Sequence, residues 1–179
     1  GARGRVGAAE GLDVRKGRRM TRAPRATHGG QTGWTNRSLF AERIEQAVAR
    51  ARRNKTLLAL MYLDIDKFKT INDTMGHDTG DLLLKEFSRR LAGCVRATDT
   101  AARLGGDEFV VILEALADRA DGERIAEKIV AAMRPEFNLG ERSLSITTSA
   151  GMAFLERNAQ VDGDALLKRA DEALYKAKA

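Results

Sequence analysis

The pattern of hydrophobic and polar residues changes period repeatedly along the chain, which predicts alternating helices and strands. Amphipathic stretches with an apolar residue every three or four positions are typical of helices with one buried face. Residues 56–65 instead form an almost continuous apolar run, typical of a strand buried on both faces. The predicted helices cover residues 38–53, 68–75, 79–96, 121–133 and 164–179, and the predicted strands cover residues 56–65, 100–104, 108–113 and 143–155.

The order of these elements predicts a central sheet covered by helices, as in an α/β protein. Gly105-Gly106 separates two short predicted strands, so these two should form a hairpin. Such a hairpin makes the sheet mixed rather than purely parallel. A length of 179 residues with 43% hydrophobic residues suits one globular domain.

The excess positive charge is confined to the beginning of the chain. A net charge of +6 and a pI near 9.8 would by themselves favour a nucleic-acid or anionic membrane partner. Residues 1–30 contain eight basic and two acidic residues, whereas the remaining 149 contain 23 of each. This first segment is rich in glycine and lacks an apolar period, so residues 1–31 are predicted to be a flexible tail and not a signal peptide. A nucleic-acid partner is therefore not expected.

Cysteine content and hydropathy bear on location. The single cysteine, Cys94, excludes an internal disulfide and fits a reducing compartment. The longest apolar runs fall far short of the roughly 20 residues that span a bilayer. We expect a cytoplasmic domain, which leaves open a membrane anchor elsewhere in the full-length protein.

Carboxylates concentrate where predicted strands end. Asp64 and Asp66 close the first strand, and Asp107 and Glu108 follow Gly105-Gly106 in the predicted hairpin turn. Adjacent strands would bring Asp64 and Asp107 together, and magnesium usually takes one or two carboxylates together with substrate phosphates. The alternatives are a solvated strand end and an ordinary turn with exposed acids.

Residues 69–81 (KTINDTMGHDTGD) carry the third polar concentration. Lys69 is suited to bind phosphate. Asn72 and Asp81 could read guanine, because a carboxylate can accept two N–H bonds and an amide can both donate and accept. Taken alone this stretch is a weak signal, since the same residue types form ordinary turns.

These features together resemble the GGDEF family of diguanylate cyclases. The name-giving pentapeptide is Gly105-Gly106-Asp107-Glu108-Phe109. Residues 64–73 (DIDKFKTIND) are similar to the family's D-x-D-x-F-K-x-x-N-D element, residues 76–81 (GHDTGD) to its G-H-x-x-G-D, and Ala150-Gly151 with residues 168–178 to its closing strand and helix. The resemblance covers residues 32–179. It implies an α+β sandwich with a central mixed, mostly antiparallel sheet, as in nucleotidyl cyclases and polymerase palms.

The resemblance also implies an activity and its residues. Such proteins condense two GTP molecules into cyclic di-GMP and release two pyrophosphates. By similarity, Mg²⁺ or Mn²⁺ would be held by Asp64, the Ile65 carbonyl and Asp107. Asp107 or Glu108 would act as base or metal ligand, with the two roles left unseparated, and Lys69 would stabilise phosphate charge. The implied GTP-binding residues are Phe68, Asn72, His77, Asp81, Gly105, Gly106 and Lys178.

Partners follow from the same resemblance. Each subunit would bind one GTP, so catalysis requires a homodimer whose two sites face each other. Sensory or phosphodiesterase domains are expected in the full-length protein. Arg96 and Asp99 resemble the family's R-x-x-D inhibitory site, in which Arg would bind cyclic di-GMP in bidentate fashion and Asp would accept from guanine. The alternative is an arginine at a helix end with a capping aspartate.

Two departures from the family pattern keep a second function open. Residues 29–37 (GGQTGWTNR) stand where the family usually has D-x-L-T-G-L-x-N-R, and the sequence stops at Ala179 where relatives commonly continue with G-R-N. The arginine of that G-R-N segment would contact phosphate, so its absence would weaken GTP binding. The alternative is a non-catalytic GGDEF module that binds cyclic di-GMP or GTP and regulates an attached domain.

Overall fold

The computed structural model describes residues 5–8 and 37–178. The helices are α1 (Arg37–Asn54), α2 (Phe68–Met75), α3 (His77–Cys94), α4 (Arg119–Ala132) and α5 (Gly163–Lys178). The strands are β1 (Arg5–Ala8), β2 (Leu57–Ile65), β3 (Thr100–Gly105), β4 (Glu108–Leu116), β5 (Phe137–Leu139), β6 (Arg142–Leu144) and β7 (Thr148–Leu155). None of the helices in the described part of the chain has the length and hydropathy to cross a membrane.

Strand β2 is the centre of the main sheet. The strand order is β1-β7-β2-β4-β3, and β2 runs antiparallel to both of its neighbours. Strands β3 and β4 form the predicted hairpin, while β1 is parallel to β7. A separate hairpin joins β5 and β6. The expectation of a mixed, mostly antiparallel sheet covered by helices is confirmed.

The continuous apolar run in β2 follows from its burial on both faces. All nine of its residues are buried. Alternate side chains, such as Met61 and Leu63, pack in the core formed with α3 and α4. The others, such as Leu60 and Tyr62, pack in the core formed with α1 and α5. The side chain of Asp64 follows Tyr62 by two residues and so lies on the α1 and α5 side.

Three predictions differ from the structure. The predicted flexible tail includes Arg5–Ala8, which form β1 against the edge of β7, where backbone groups are available for pairing; its other residues lie outside the described part. The predicted strand over 143–155 is divided into β6 and β7 by residues 145–147, so β6 can pair with β5 while β7 joins the main sheet. Helix α3 begins at His77, two residues before the predicted start.

Close contact between α5 and β7 brings the helix backbone directly against the sheet. A Cβ atom on Gly151 would lie 2.0 Å from the Leu174 backbone nitrogen and 2.5 Å from the Ala170 carbonyl oxygen. Only a residue without a side chain allows this approach. The helix therefore runs directly over the sheet, and its last turn reaches the end of β2.

We predict that Gly151→Ala destabilises the protein by about 3 kcal/mol, because backbone atoms of α5 cannot move away as a flexible side chain could. Urea unfolding measures this change. The matched control is Gly93→Ala in α3, where an added Cβ meets nothing within 4 Å; it should stabilise the protein by about 0.5–1 kcal/mol through helix propensity. Equal stability of the two variants would contradict the close packing.

Candidate active site

The predicted carboxylates meet at one end of the central sheet. Asp64, the penultimate residue of β2, stands opposite Glu108, the first residue of β4. Cα atoms of such antiparallel partners are about 4.5–5.5 Å apart. The turn between β3 and β4 places Asp107 beside this pair, close enough to affect the pKa of Asp64. The structure thus brings together the residues that the sequence predicted as metal ligands.

Two glycines shape this turn. Gly105 has φ 138° and Gly106 has φ 51°, values that residues with side chains rarely adopt. Both are exposed, and a Cβ on either would meet nothing within 4 Å. The Nε of Arg103 donates to the Gly106 carbonyl at 2.8 Å and so fixes the turn. The backbone at this position is therefore both rigid and accessible to a ligand.

Asp64 has an unusual environment for a carboxylate. It is only 8% exposed, and its Oδ1 atom is buried without a hydrogen-bond partner. Its Oδ2 accepts a hydrogen bond from the ammonium of Lys178 at the end of α5. Burial raises the pKa of Asp64 to about 6; Lys178 opposes this rise, and the negative charges of Asp107 and Asp66 add to it.

This arrangement fits a divalent cation. A buried carboxylate with an unpartnered oxygen and a raised pKa is stabilised by a nearby positive charge. Within residues 5–8 and 37–178, no group of three or more Asp, Glu, His or Cys side chains could hold a metal. The site thus offers two carboxylates, Asp64 and Asp107, together with the Ile65 carbonyl. Oxygen ligands in such small number suit magnesium, which completes its shell with water and substrate phosphates.

Glu108 is held separately from Asp107. The Tyr62 hydroxyl donates to Glu108 Oε2 at 3.1 Å, and the guanidinium of Arg37 lies 3.9 Å from the same atom. Arg37 also donates to the Leu104 carbonyl at 3.2 Å. The Glu108 carboxylate is therefore oriented by residues of β2 and α1, which the sequence could not show.

Helices α2 and α3 bring the predicted guanine-binding residues together. A Cβ on Gly80 would lie 1.8 Å from Asn72 Oδ1, so the Asn72 side chain lies against α3 directly before Asp81. Asn72 Oδ1 is buried and has no hydrogen-bond partner. Phe68 is half-buried beside Gly80. Together Asn72 and Asp81 offer an amide, which can donate to O6 or N7, and a carboxylate, which can accept from the N–H groups of guanine.

Lys69 and His77 are exposed at this end of the molecule. Lys69 lies in the first turn of α2, which begins after Lys67 in a left-handed conformation with φ 58°. His77 is the first residue of α3. The structure shows no contact that assigns either residue a role.

Arg103 connects the two parts of the site and was missed by the sequence reasoning. Burial lowers the pKa of Arg103, and the charges of Asp81 and Asp107 counteract this effect. Its guanidinium therefore lies within electrostatic reach of both the predicted guanine carboxylate and the glycine turn. The only sequence signal is its position before Leu104 in the strand leading to the turn.

The R-x-x-D residues lie in a separate network after α3. Arg96 Nε and Nη2 donate to the two Asp99 oxygens at 3.1 and 2.9 Å, and Nη2 also donates to the Glu114 carbonyl at 2.7 Å. The Asp99 side chain is fully buried, whereas that of Arg96 is 42% exposed. Arg50 of α1 pairs with the Glu114 carboxylate at 2.9 Å. Asp99 therefore orients Arg96 from within the protein.

Fold and site together define an α+β domain whose sheet end combines a carboxylate pair with a glycine turn and the polar side chains of Asn72 and Asp81. A family model described as diguanylate cyclase, GGDEF domain matches residues 26–179. The chain therefore belongs to the GGDEF family.

Individual relatives agree with this assignment. The chain is 40% identical over 157 residues to diguanylate cyclase TpbB of Pseudomonas aeruginosa, covering 87% of this chain and 36% of TpbB. A solved structure of the TpbB GGDEF domain superimposes with a TM-score of 0.81 at 39% identity, covering 84% of this chain and 88% of that one. The GGDEF domain of DgcB from Caulobacter crescentus, solved in complex with c-di-GMP, has a TM-score of 0.77 at 31% identity, with coverage of 88% and 93%. The chain spans about a third of the length of TpbB.

Proposed function

We propose that residues 32–179 form a diguanylate cyclase domain that condenses two GTP molecules into cyclic di-GMP. The observation that carries this proposal is the buried Asp64 carboxylate, with its unpartnered oxygen beside the Gly105-Gly106-Asp107 turn. The family assignment supports it, because GGDEF relatives of this chain are named diguanylate cyclases. The reaction forms two 3′-oxygen to α-phosphorus bonds and releases two pyrophosphates.

Different roles for the carboxylates follow from their surroundings. Asp64, the Ile65 carbonyl and Asp107 would hold Mg²⁺ or Mn²⁺, which supplies a Lewis acid for the α-phosphate and the attacking hydroxyl. Glu108, oriented by Tyr62 and Arg37, would accept the proton of the 3′-hydroxyl. Lys69 and Lys178 would neutralise phosphate charge, Lys178 exchanging its ion pair with Asp64 for the nucleotide.

Base recognition falls to α2 and α3. Asp81 would accept from the guanine N–H groups and Asn72 would complete the recognition of the base edge, with Phe68 and His77 at its side. The exposed backbone of Gly105 and Gly106 allows the nucleotide to approach the turn. One GTP fills each site, so two chains must face each other to align a 3′-hydroxyl with the partner's α-phosphate.

Incubation of the protein with GTP and Mg²⁺ should yield cyclic di-GMP, detected by chromatography at high protein concentration. Asp107→Ala should abolish turnover, since it removes a metal ligand, while the free energy of unfolding changes by no more than about 0.5 kcal/mol for a turn residue. Glu141→Ala, an exposed acid in the turn between β5 and β6, is the matched control. GTP binding without any product, also in a C-terminally extended chain, would contradict the proposal and favour a non-catalytic module.

Gly80→Ala should weaken GTP binding about tenfold, because the new Cβ displaces Asn72 and removes a hydrogen bond of roughly 1–1.5 kcal/mol. Only the flexible end of Asn72 has to move, so the fold should survive. Calorimetry with GTP and ATP measures both affinity and discrimination. Gly93→Ala in the same helix is the control and should bind GTP like the native chain; an unchanged affinity of Gly80→Ala would exclude Asn72 from base recognition.

We further propose that Arg96 binds cyclic di-GMP and mediates product inhibition. Its guanidinium is half-exposed and held by the buried Asp99 side chain through Nε and Nη2, so that the N–H groups of Nη1 can donate to a phosphate or a guanine edge. Asp99 itself is buried, so its role here is to orient Arg96 rather than to contact guanine as the sequence suggested.

Arg96→Ala should raise the cyclic di-GMP concentration for half-inhibition at least tenfold, because the lost contact is a charge-assisted hydrogen bond. The initial rate should remain unchanged, since Arg96 lies outside the site at the sheet end. The rate is followed by pyrophosphate release with added product. Arg89→Ala, an exposed arginine of α3 paired with Glu86, serves as the control. Inhibition that persists unchanged in Arg96→Ala would refute this assignment.

A further inference from the structure

The peptide group between Ile65 and Asp66 has a fixed orientation. The Asp66 N–H donates to the Thr147 carbonyl at 2.9 Å, across the gap between β2 and the start of β7. The described part of the chain contains no cis peptide bond, so N–H and C=O of this peptide point in opposite directions. Since the N–H points toward β7, the Ile65 carbonyl points away from β7.

The Ile65 carbonyl points toward the side of β2 on which β4 lies. Strand β2 lies between β7 and β4. Pairing of β2 with β4 ends at Asp64 and Glu108, so Ile65 extends one residue beyond the last pair. The β3–β4 turn with Asp107 lies directly past that pair. The Ile65 carbonyl is thus directed toward the turn and not used by the sheet ladder of β2 and β4.

The side chain of Asp66 reinforces this orientation. Its Oδ2 accepts from the Thr147 hydroxyl at 2.5 Å, and its Oδ1 accepts from the Ser149 hydroxyl at 2.6 Å. Hydrogen bonds to a carboxylate are about twice as strong as those between neutral groups. Together with the backbone bond, three contacts tie this one half-buried residue to the β7 segment.

The backbone of the next residue is strained, which makes these three contacts, called here the Asp66 clamp, important for the local conformation. Lys67 has φ 58°, a left-handed conformation that costs a non-glycine residue roughly 1–2 kcal/mol. Such a strained turn persists only where neighbouring contacts hold it. The three Asp66 contacts hold the chain directly before this residue.

We propose that Asp66 is a positioning residue, which holds the Ile65 carbonyl toward Asp64 and Asp107 through its bonds to Thr147 and Ser149. This inference rests on the proposed function, because it assumes that the carbonyl is a ligand of the divalent cation. Asp66 itself does not touch the cation. Thr147 and Ser149 serve the same role, because their hydroxyls hold the Asp66 carboxylate.

Mn²⁺ affinity is the direct readout, measured by electron paramagnetic resonance on chelator-treated protein with α,β-methylene-GTP. Thr147→Val and Ser149→Ala each remove one hydroxyl and should weaken Mn²⁺ binding about threefold to tenfold, and the double variant more. Steady-state assays should show a lower kcat with the KM for GTP nearly unchanged. Ser88→Ala, which removes a buried hydroxyl bonded to the Leu84 carbonyl in α3, is the control for general stability and should leave Mn²⁺ affinity unchanged.

Two Asp66 variants separate geometry from charge. Asp66→Asn can still accept from one hydroxyl and donate to the other, so it should restore most of the Mn²⁺ affinity that Asp66→Ala loses. If Asp66→Asn and Asp66→Ala lost the same Mn²⁺ affinity, the carboxylate would act by its charge and the clamp would be overturned. Native Mn²⁺ affinity in the Thr147→Val, Ser149→Ala double variant, with only a lower melting temperature, would overturn it as well. If the native chain bound no Mn²⁺ with the nucleotide, the proposed metal site would fail together with the clamp.

Discussion

Burial of the Asp64 carboxylate at the end of β2 is the constraint on which the rest of the site depends. A carboxylate that is 8% exposed is costly unless a positive charge compensates it. In the structure Lys178 supplies that charge from the end of α5. Helix α5 reaches this point because Gly151 lets its backbone approach β7 closely. A packing contact in the middle of the sheet therefore determines the electrostatics at its end.

The same constraint explains how the neighbouring elements are arranged. Strand β4 brings Glu108 opposite Asp64. The glycine turn before β4 brings Asp107 close to Asp64. Burial raises the pKa of Asp64, and the negative charges of Asp107 and Asp66 contribute to this rise. Arg37, Arg103 and Lys178 surround the group from three different elements. The site is thus a region of compensated charge, suited to exchange some of these partners for a nucleotide and a cation.

In the network around Arg96, a buried carboxylate orients a partly exposed arginine. The side chain of Asp99 is entirely buried and bonded to Arg96, and Glu114 connects the same network to Arg50 of α1. Strand β4 contains both Glu114 and Glu108, near its opposite ends. Arg96 is therefore bonded to a strand that also contributes to the site at the sheet end. This continuity gives the proposed inhibitory site a structural connection to the carboxylates, although each site is formed by its own residues.

The sequence by itself determined the elements and most of the site. Hydrophobic period and glycine placement determined α2, which ends at Met75 before Gly76, and the buried strand β2, because both signals are local. The motif residues Asp64, Asp107, Asn72 and Asp81 could be named from the sequence because residue type and spacing along the chain indicate their chemistry. Tertiary structure alone decided that β1 adds to β7, that Asp99 is buried, and that Gly80, Arg103, Tyr62 and Asp66 support the site. These contacts join residues far apart in the chain, as Asp66 and Ser149 are, and strand register and helix packing, which no local pattern encodes, bring them together.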